Sequence, residues 1–270
     1  MRLEYGPTTY FRKRIDYGSG DLPGSDCSHI FLRLKGSAAV ECARIQWVGF
    51  RETATPDGGG GAPLTAKVSD FIAIIVLAAG LSTRFGRNKL LEPIGESTMI
   101  QHVVRESLES KAKQVIVVVG HDAQRIRREL KDYRCDIVYN EDYEKGQSFS
   151  VRKGLSRVKK VADAVMILPG DVALVDRGMI DAVIDEYSTC YAPIVTAGFH
   201  GSSGHPILFD KYLFDELKGI QEETRGLKSV VSRHRPQMRL VETSEASLLD
   251  IDRQDDLVRL AQASADPSER

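Results

Sequence analysis

From residue 71 onward the apolar and polar positions switch between two periods. FIAIIVLAAG (71–80) is a continuous apolar run ending in glycine, and QVIVVVG (114–120) and DAVMILPGD (163–171) repeat that pattern. Unbroken aliphatic runs of this length suit parallel strands covered on both faces. CDIVYN (135–140) is a shorter strand of the same series. Between the runs the spacing becomes helical. TMIQHVVRESLES sets Met99, Ile100, Val103, Val104 and Leu108 on one face, with Ser97 or Thr98 as cap. DAQRIRREL carries Ala123, Ile126 and Leu130 at helical spacing, and SFSVRKGLSRV supplies a third helix. Strands alternating with helices through short loops predict βαβ units in an α/β fold, a doubly wound, mostly parallel sheet. Beyond residue 190, APIVTAGF and HPILF read as strands with no helix between them, so a mixed edge is expected. LLDID (248–252) and RQDDLVRLAQA then give a last short strand and a closing helix.

The first 70 residues lack this order. HIFLRL and ARIQWVGF are strand-like, but residues 1–56 offer too few periodic segments for more than a marginal core. They are read as an N-terminal extension of unknown role, either partly ordered or the product of an upstream start codon. Residues 57–70 form a Gly-rich linker, leaving 71–265 as the main domain.

Composition narrows the function classes. The 270 residues carry a formal net charge of −1, which offers no basic footprint for nucleic acid and none for an anionic membrane. No apolar run approaches the roughly 18–20 residues that cross a bilayer, and the N-terminus lacks the apolar core of a secretory signal. A cytoplasmic location is the expectation. Cys27, Cys42, Cys135 and Cys190 form no C-x-x-C pair and have no histidine at ligand spacing, so they read as reduced structural thiols.

In open α/β sheets ligands sit beyond the carboxyl ends of the strands, and four such ends carry unusual residues. VLAAGLSTRFGRNK (76–89) follows the first run. Small residues at Ala78, Ala79 and Gly80 permit close approach, Gly80 can take positive φ, and Arg84 and Lys89 add two cations suited to phosphate. Neither G-x-G-x-x-G nor the Gly-Lys-Ser/Thr of a P-loop is present. A solvated loop with two surface cations is the alternative. At the second end, Asp171 is either a divalent-metal ligand or the cap of the next helix. At the third, Asn140, Gly146, Gln147 and Ser148 offer amide and hydroxyl groups to a ligand, or Ser148 merely caps its helix. At the fourth, Asp250 and Asp252 share one face of a strand and could join Asp171 at a metal, or Asp252 caps RQDDL. In GSSGHPILF, His205 precedes Pro206, which holds the chain extended there.

Taken together, these stretches resemble the MobA-like nucleotidyltransferase family. VLAAGLSTRFGRNKLLEPIGESTMIQHVV is similar to its opening, L-A-A-G-x-S-x-R-M-G-x-x-K-L-L, with Phe85 in place of methionine. VVVGHDAQRIRREL looks like the second βα unit, and VYNEDYEKGQSFSVRKGL resembles the loop with a G-x-x-x-S motif. ILPGDVALV resembles the strand with a metal-binding aspartate, although Val172-Ala173 replaces the usual D-x-P continuation. GSSGHPILF looks like G-x-R-G-H-P with Ser203 for arginine, and LLDIDRQDDL is similar to D-I-D-T-P-E-D-L. The likeness spans about residues 72–262. LAAG, GHP and LLDID are more like the molybdenum cofactor cytidylyltransferase branch than the guanylyl one.

The resemblance implies transfer of CMP from CTP, or of another nucleoside monophosphate from its NTP, to the phosphate of molybdopterin. It implies Mg²⁺ on Asp171 with Asp250 or Asp252. It places the nucleotide on Leu77, Ala78, Ala79, Gly80, Ser82, Arg84, Lys89, Gly120, Asn140, Gly146 and Ser148. Lys89, Arg84 and Asp171 become the catalytic set, and Gly204 and His205 lie on the substrate side. A molybdenum hydroxylase or its maturation factor is the implied protein partner. Two other readings stay open: a sugar- or isoprenoid-phosphate nucleotidyltransferase of the same fold, and a non-catalytic carrier of the molybdenum cofactor. The isoprenoid enzymes usually show lysine where LLDID has acids, which counts against them.

Overall fold

A computed structural model of the chain describes residues 70–251 and Asp256. The readings made for residues 1–56, most of the linker, Cys27, Cys42, Asp252 and the closing helix lie outside the described residues.

Nine strands and six helices order the described chain: β1 (Ile72–Ala78), β2 (Pro93–Ile94), β3 (Ser97–Thr98), α1 (Met99–Glu109), β4 (Gln114–Val119), α2 (Ala123–Glu129), β5 (Asp136–Tyr139), α3 (Gln147–Leu155), β6 (Ala164–Pro169), α4 (Arg177–Cys190), β7 (Ile194–Phe199), β8 (Ser202–Asp210), α5 (Phe214–Lys218), α6 (Leu227–His234) and β9 (Met238–Glu242). Seven strands form one sheet in the order β5-β4-β1-β6-β8-β7-β9, and β2 pairs with β3 in a small hairpin. β5, β4, β1 and β6 pair in parallel, as the continuous apolar runs predict. β8 is antiparallel to both β6 and β7, which is the expected mixed edge.

The two faces of the sheet bury separate clusters. One cluster gathers Ile72, Ile74 and Val76 of β1 with Val103 and Val104 of α1, Ile126 of α2 and Ile180 and Val183 of α4. The other gathers Ile75 with Val151 of α3, Leu217 of α5 and Val230 of α6. Each such fully buried aliphatic side chain contributes roughly 1.5–3 kcal/mol. α3 lies close on the sheet because Gly154 has no side chain; a Cβ there would stand 2.5 Å from Ile75 Cγ2. Thr98 is the residue that caps α1, and its N–H donates to Gln101 Oε1 at 2.9 Å.

Three helices and three strands have no counterpart in the sequence-based expectation: α4, α5, α6, the two-residue strands β2 and β3, and the edge strand β9, whose charged residues mask its alternation. LLDID departs from it in the other direction. Glu245–Leu248 is a 3-10 turn, and residues 249–251 run on without joining the sheet. Ile251 N–H donates to Asp171 O at 3.1 Å, so this segment is pinned to the end of β6 by a single backbone contact rather than by a ladder. Among the described residues no helix is long and apolar enough to cross a membrane. Cys135 and Cys190 are free thiols, and burial pushes the Cys135 thiol up to about 11, where it stays protonated and unreactive at neutral pH.

Candidate active site

The chain runs from β1 outward to β4 and β5, then returns to place β6 on the other side of β1. Strand order therefore reverses between β1 and β6, and the crevice at their carboxyl ends is where an open α/β sheet holds ligand. The two ends are tied together, since Gly170 N–H donates to Leu77 O at 2.9 Å.

The loop leaving β1 is anchored at its middle and base. Phe85 is buried in the core, which explains why an apolar residue is required where this sequence has phenylalanine. Asn88 is also buried, and its Oδ1 accepts the Leu90 N–H at 3.1 Å to start a 3-10 turn over Lys89–Leu91. Ser82 O accepts the N–H groups of Phe85 and Gly86 at 3.0 and 3.2 Å, and Ser82 Oγ accepts the Lys89 N–H at 3.3 Å. Positive φ falls on Ser82 (51°) and Gly86 (81°). Gly80 is not among them, which corrects the expectation that it supplies the left-handed turn. The residue is exposed, and a Cβ built there meets nothing within 4 Å, so the position borders open space beyond the end of β1. Ala78 and Ala79 are buried, Leu77 is half-buried, and Arg84 is exposed on the outer curve of the loop.

Lys89 returns from this loop to the end of β6, where its Nζ stands 2.6 Å from Asp171 Oδ2. The two side chains are 14% and 20% exposed, so the pair sits at the mouth of the crevice rather than in bulk water. Asp171 does not cap a helix. α4 begins six residues later with Asp176 as its cap, Oδ1 accepting the Met179 N–H at 2.7 Å. The intervening segment is held on α1, where His102 Nε2 lies 2.8 Å from Val175 O and Glu106 accepts the Arg177 N–H at 3.0 Å. The bond from Ile251 to Asp171 O brings the preceding residue, exposed Asp250, to the same strand end. Among the described residues no three of His, Cys, Asp and Glu form a ready metal cluster. Two carboxylates are nonetheless the donor set that Mg²⁺ takes when substrate phosphates and water complete its shell.

On the far side of Asp171 stands β8. Ile207 pairs with Ile167, and the antiparallel register carries His205 beside Pro169, at the crevice end. Burial lowers the His205 pKa to about 4, although the Asp171 carboxylate pulls the other way, so the ring is neutral at physiological pH. Gly204 is required for packing: a Cβ there would stand 2.1 Å from Ser247 O, and its own carbonyl accepts the Thr196 hydroxyl at 2.8 Å.

The third predicted stretch is more inward-looking. Asn140 is buried, donates from Nδ2 to Ser150 Oγ at 3.0 Å and accepts the Asp142 N–H at 3.1 Å. A Cβ on Gly120 would collide with Tyr143, 2.4 Å away, so that glycine lets the turn after β5 close over β4. Gly146, with φ 112°, caps α3, and Ser148 is therefore not the cap. Both the Ser148 hydroxyl and its N–H donate to Glu222, at 2.6 and 3.0 Å. Burial would raise the Glu222 carboxyl, but the Ser148 and Gln147 donors hold it below the ordinary carboxylate range. Sequence reasoning missed Glu222, because the contact spans 74 residues and no local pattern announces it. It also missed a cavity of about 600 Å³ beyond β4 and β5, lined by Gly120, Asp122, Arg125, Arg127 and Tyr139.

Known proteins resemble this chain. The bifunctional protein GlmU of Desulfotalea psychrophila is 30% identical over 130 residues, which cover 47% of this chain and 38% of GlmU. The chain thus spans well under half the length of that relative. Rv0371c from Mycobacterium tuberculosis H37Rv superimposes with a TM-score of 0.65 at 27% identity, covering 72% of this chain and 98% of Rv0371c. Its structure in complex with manganese gives a TM-score of 0.62 at 26% identity over 72% of this chain and 99% of that one. Residues 74–238, which include the β1 loop, the Lys89–Asp171 pair and His205, match the MobA-like NTP transferase domain, and the chain belongs to that family.

Proposed function

We propose that the chain transfers CMP from CTP to the terminal phosphate of molybdopterin, releasing pyrophosphate. The observation that carries nucleotidyl transfer is the Lys89–Asp171 pair, which joins a cationic loop at the end of β1 to a carboxylate at the end of β6 across the switch point of the sheet. The choice of CTP and of molybdopterin rests on LAAG, GHP and LLDID, the features most like the cytidylyltransferase branch.

The triphosphate lies along Leu77–Lys89. Backbone N–H groups of the exposed turn, with Arg84 and Lys89, neutralise the β- and γ-phosphates and the leaving pyrophosphate. Asp171 and Asp250 are the residues that would hold a divalent cation, with Asp252 as the sequence-based third candidate. That Rv0371c was solved in complex with manganese supports the binding of a divalent ion. When bound, the ion supplies further charge neutralisation at the transferring phosphate. The chain's own residues do the positioning. They hold the α-phosphorus facing the β8 side, where an oxygen of the acceptor phosphate attacks it in line. The new P–O bond forms as the bond to the β-phosphate oxygen breaks, and its electron pair leaves with pyrophosphate. The attacking oxygen is already anionic, so no general base is needed, and rate enhancement comes from orientation and charge stabilisation.

Pyrophosphate release in the presence of Mg²⁺ and molybdopterin, measured with CTP and GTP in turn, tests this reading. CTP supports release well above GTP if it is right. A clear GTP preference overturns the branch assignment, and release with neither overturns the activity.

A further inference from the structure

β5 is the outermost strand of the sheet, and among the described residues it pairs with β4 alone. Along a strand the backbone groups point alternately to one neighbour and the other. Asn140 N–H donates inward to Val119 O at 2.8 Å, so Val138 also faces β4. Ile137 and Tyr139 therefore hold their N–H and C=O groups at the outer edge. Their side chains share the α2 face of the sheet, because Ile137 packs on the cluster that holds Ile126 while Val138 belongs to the opposite one. A strand edge in this state is a template for another extended chain.

The cavity of about 600 Å³ lies beside that edge, with Arg125 and Arg127 from α2 and Tyr139 from β5 in its lining. Tyr139 is 40% exposed there. Arg127 enters no hydrogen bond or ion pair among the described residues. Asp122 is the single acid of the lining, and it is already in contact with Arg125 at 3.5 Å. The groove thus carries uncompensated positive charge next to an aromatic ring and two outward-facing peptide groups. Guanidinium forks match carboxylates, often through two parallel bonds. We infer that the β5–α2 edge binds an extended acidic peptide, which adds to β5 as a further strand and lays its carboxylates on Arg127 and Arg125. Every second side chain of such a strand falls on the groove side, so acids at alternate positions all meet it. A compact anion would use the arginines but leave the edge groups of Ile137 and Tyr139 without a partner. The groove is separate from the Lys89–Asp171 pair, which stands where β1 meets β6 on the other side of β4. Its nearest tie to the β1 loop is the His121 N–H, which donates to Ala79 O at 3.3 Å.

The probe is a fluorescein-labelled octapeptide that alternates valine and glutamate, titrated into the full chain and followed by anisotropy. Saturable binding with a Kd of about 100 µM or tighter is expected. Arg127→Glu should weaken it roughly tenfold or more, with the melting temperature unchanged because Arg127 is exposed and lies outside both buried clusters. The same peptide with an N-methylated backbone keeps every charge but cannot donate to a strand edge, and it should bind roughly tenfold more weakly as well. Hydrogen exchange of the full chain should slow at Ile137 and Tyr139 when the unmodified peptide is present. Absence of binding, or equal binding by the N-methylated peptide, overturns strand addition. Equal binding by Arg127→Glu overturns the preference for acids. Displacement of the peptide by CTP assigns the groove to the nucleotide site and overturns a separate peptide surface, whereas an unchanged Kd with CTP present and in Lys89→Ala is the result expected.

Discussion

Two turns at the carboxyl edge of one sheet carry similar polar residues and use them differently. In the loop after β1 the interior is filled by Phe85 and Asn88, while Gly80, Thr83, Arg84 and Arg87 face outward. In the turn after β5 the polar groups face inward, Asn140 to Ser150 and Asp142, and Ser148 to Glu222. Composition does not separate the two, but hydrogen-bond accounting does. The first turn leaves these side chains at the surface, and the second turns its own polar groups inward to hold its shape.

The sharpest way to break this contrast is at the ion pair. Replacing Lys89 or Asp171 by alanine is expected to cut nucleotidyl transfer at least about 100-fold, the usual cost of losing one charge-stabilising group. Circular dichroism and thermal melts should show the sheet intact, because neither side chain belongs to the buried clusters. Near-normal rates in both variants would remove the pair from the mechanism.

Asn140→Ala probes the other turn and should read out in stability. It leaves Ser150 and the Asp142 N–H without their buried partner, at a cost of about 1–3 kcal/mol in urea unfolding. CTP affinity of the folded variant should stay close to wild type. A large loss of affinity with unchanged stability would make Asn140 a ligand contact.

A third comparison uses glycines. Gly80→Val adds bulk in the open space beyond the end of β1, so it should leave the melting temperature in place and weaken CTP binding roughly tenfold, about 1.4 kcal/mol. Gly120→Ala drives a methyl into Tyr143 and should lower the melting temperature instead. Interchanged outcomes would invert the assignment of the two turns.

The smallest effect concerns pH. The Glu222 carboxyl is held below its ordinary range, so its contribution is present above the unfolded carboxylate value and is lost as pH falls through the folded one. Glu222 is exposed, which limits that contribution to under about 1 kcal/mol. Glu222→Gln should flatten the acid limb of a stability–pH curve, and an unchanged limb would remove the carboxylate from the turn's support.

Much of this architecture is legible in the sequence for a physical reason. β1, β4 and β6 are covered on both faces, so their apolar runs are unbroken, and α1 begins where a threonine is followed three residues later by a glutamine. β9 is an edge strand with Arg239 and Glu242 in it, and its pattern is correspondingly faint. LLDID has the alternation of a strand, yet Leu248 and Leu249 are exposed and only Ile251 is buried, because the segment docks by one backbone bond at Asp171. Asp171 was readable as a ligand candidate from its place after a strand, whereas excluding a capping role required seeing Asp176 take that part. The pairing of Lys89 with Asp171 across 82 positions, like that of Ser148 with Glu222, is a product of topology and left no local trace.

The central claim is a chemical one, that the crevice joins CMP to a phosphorylated pterin. Incubating the chain with Mg²⁺, molybdopterin and all four nucleoside triphosphates together, and weighing the pterin product by mass spectrometry, tests it most directly. The account predicts a molybdopterin adduct heavier by one cytidylyl group, with pyrophosphate released. A guanylyl adduct, or a pterin recovered unchanged, would contradict it.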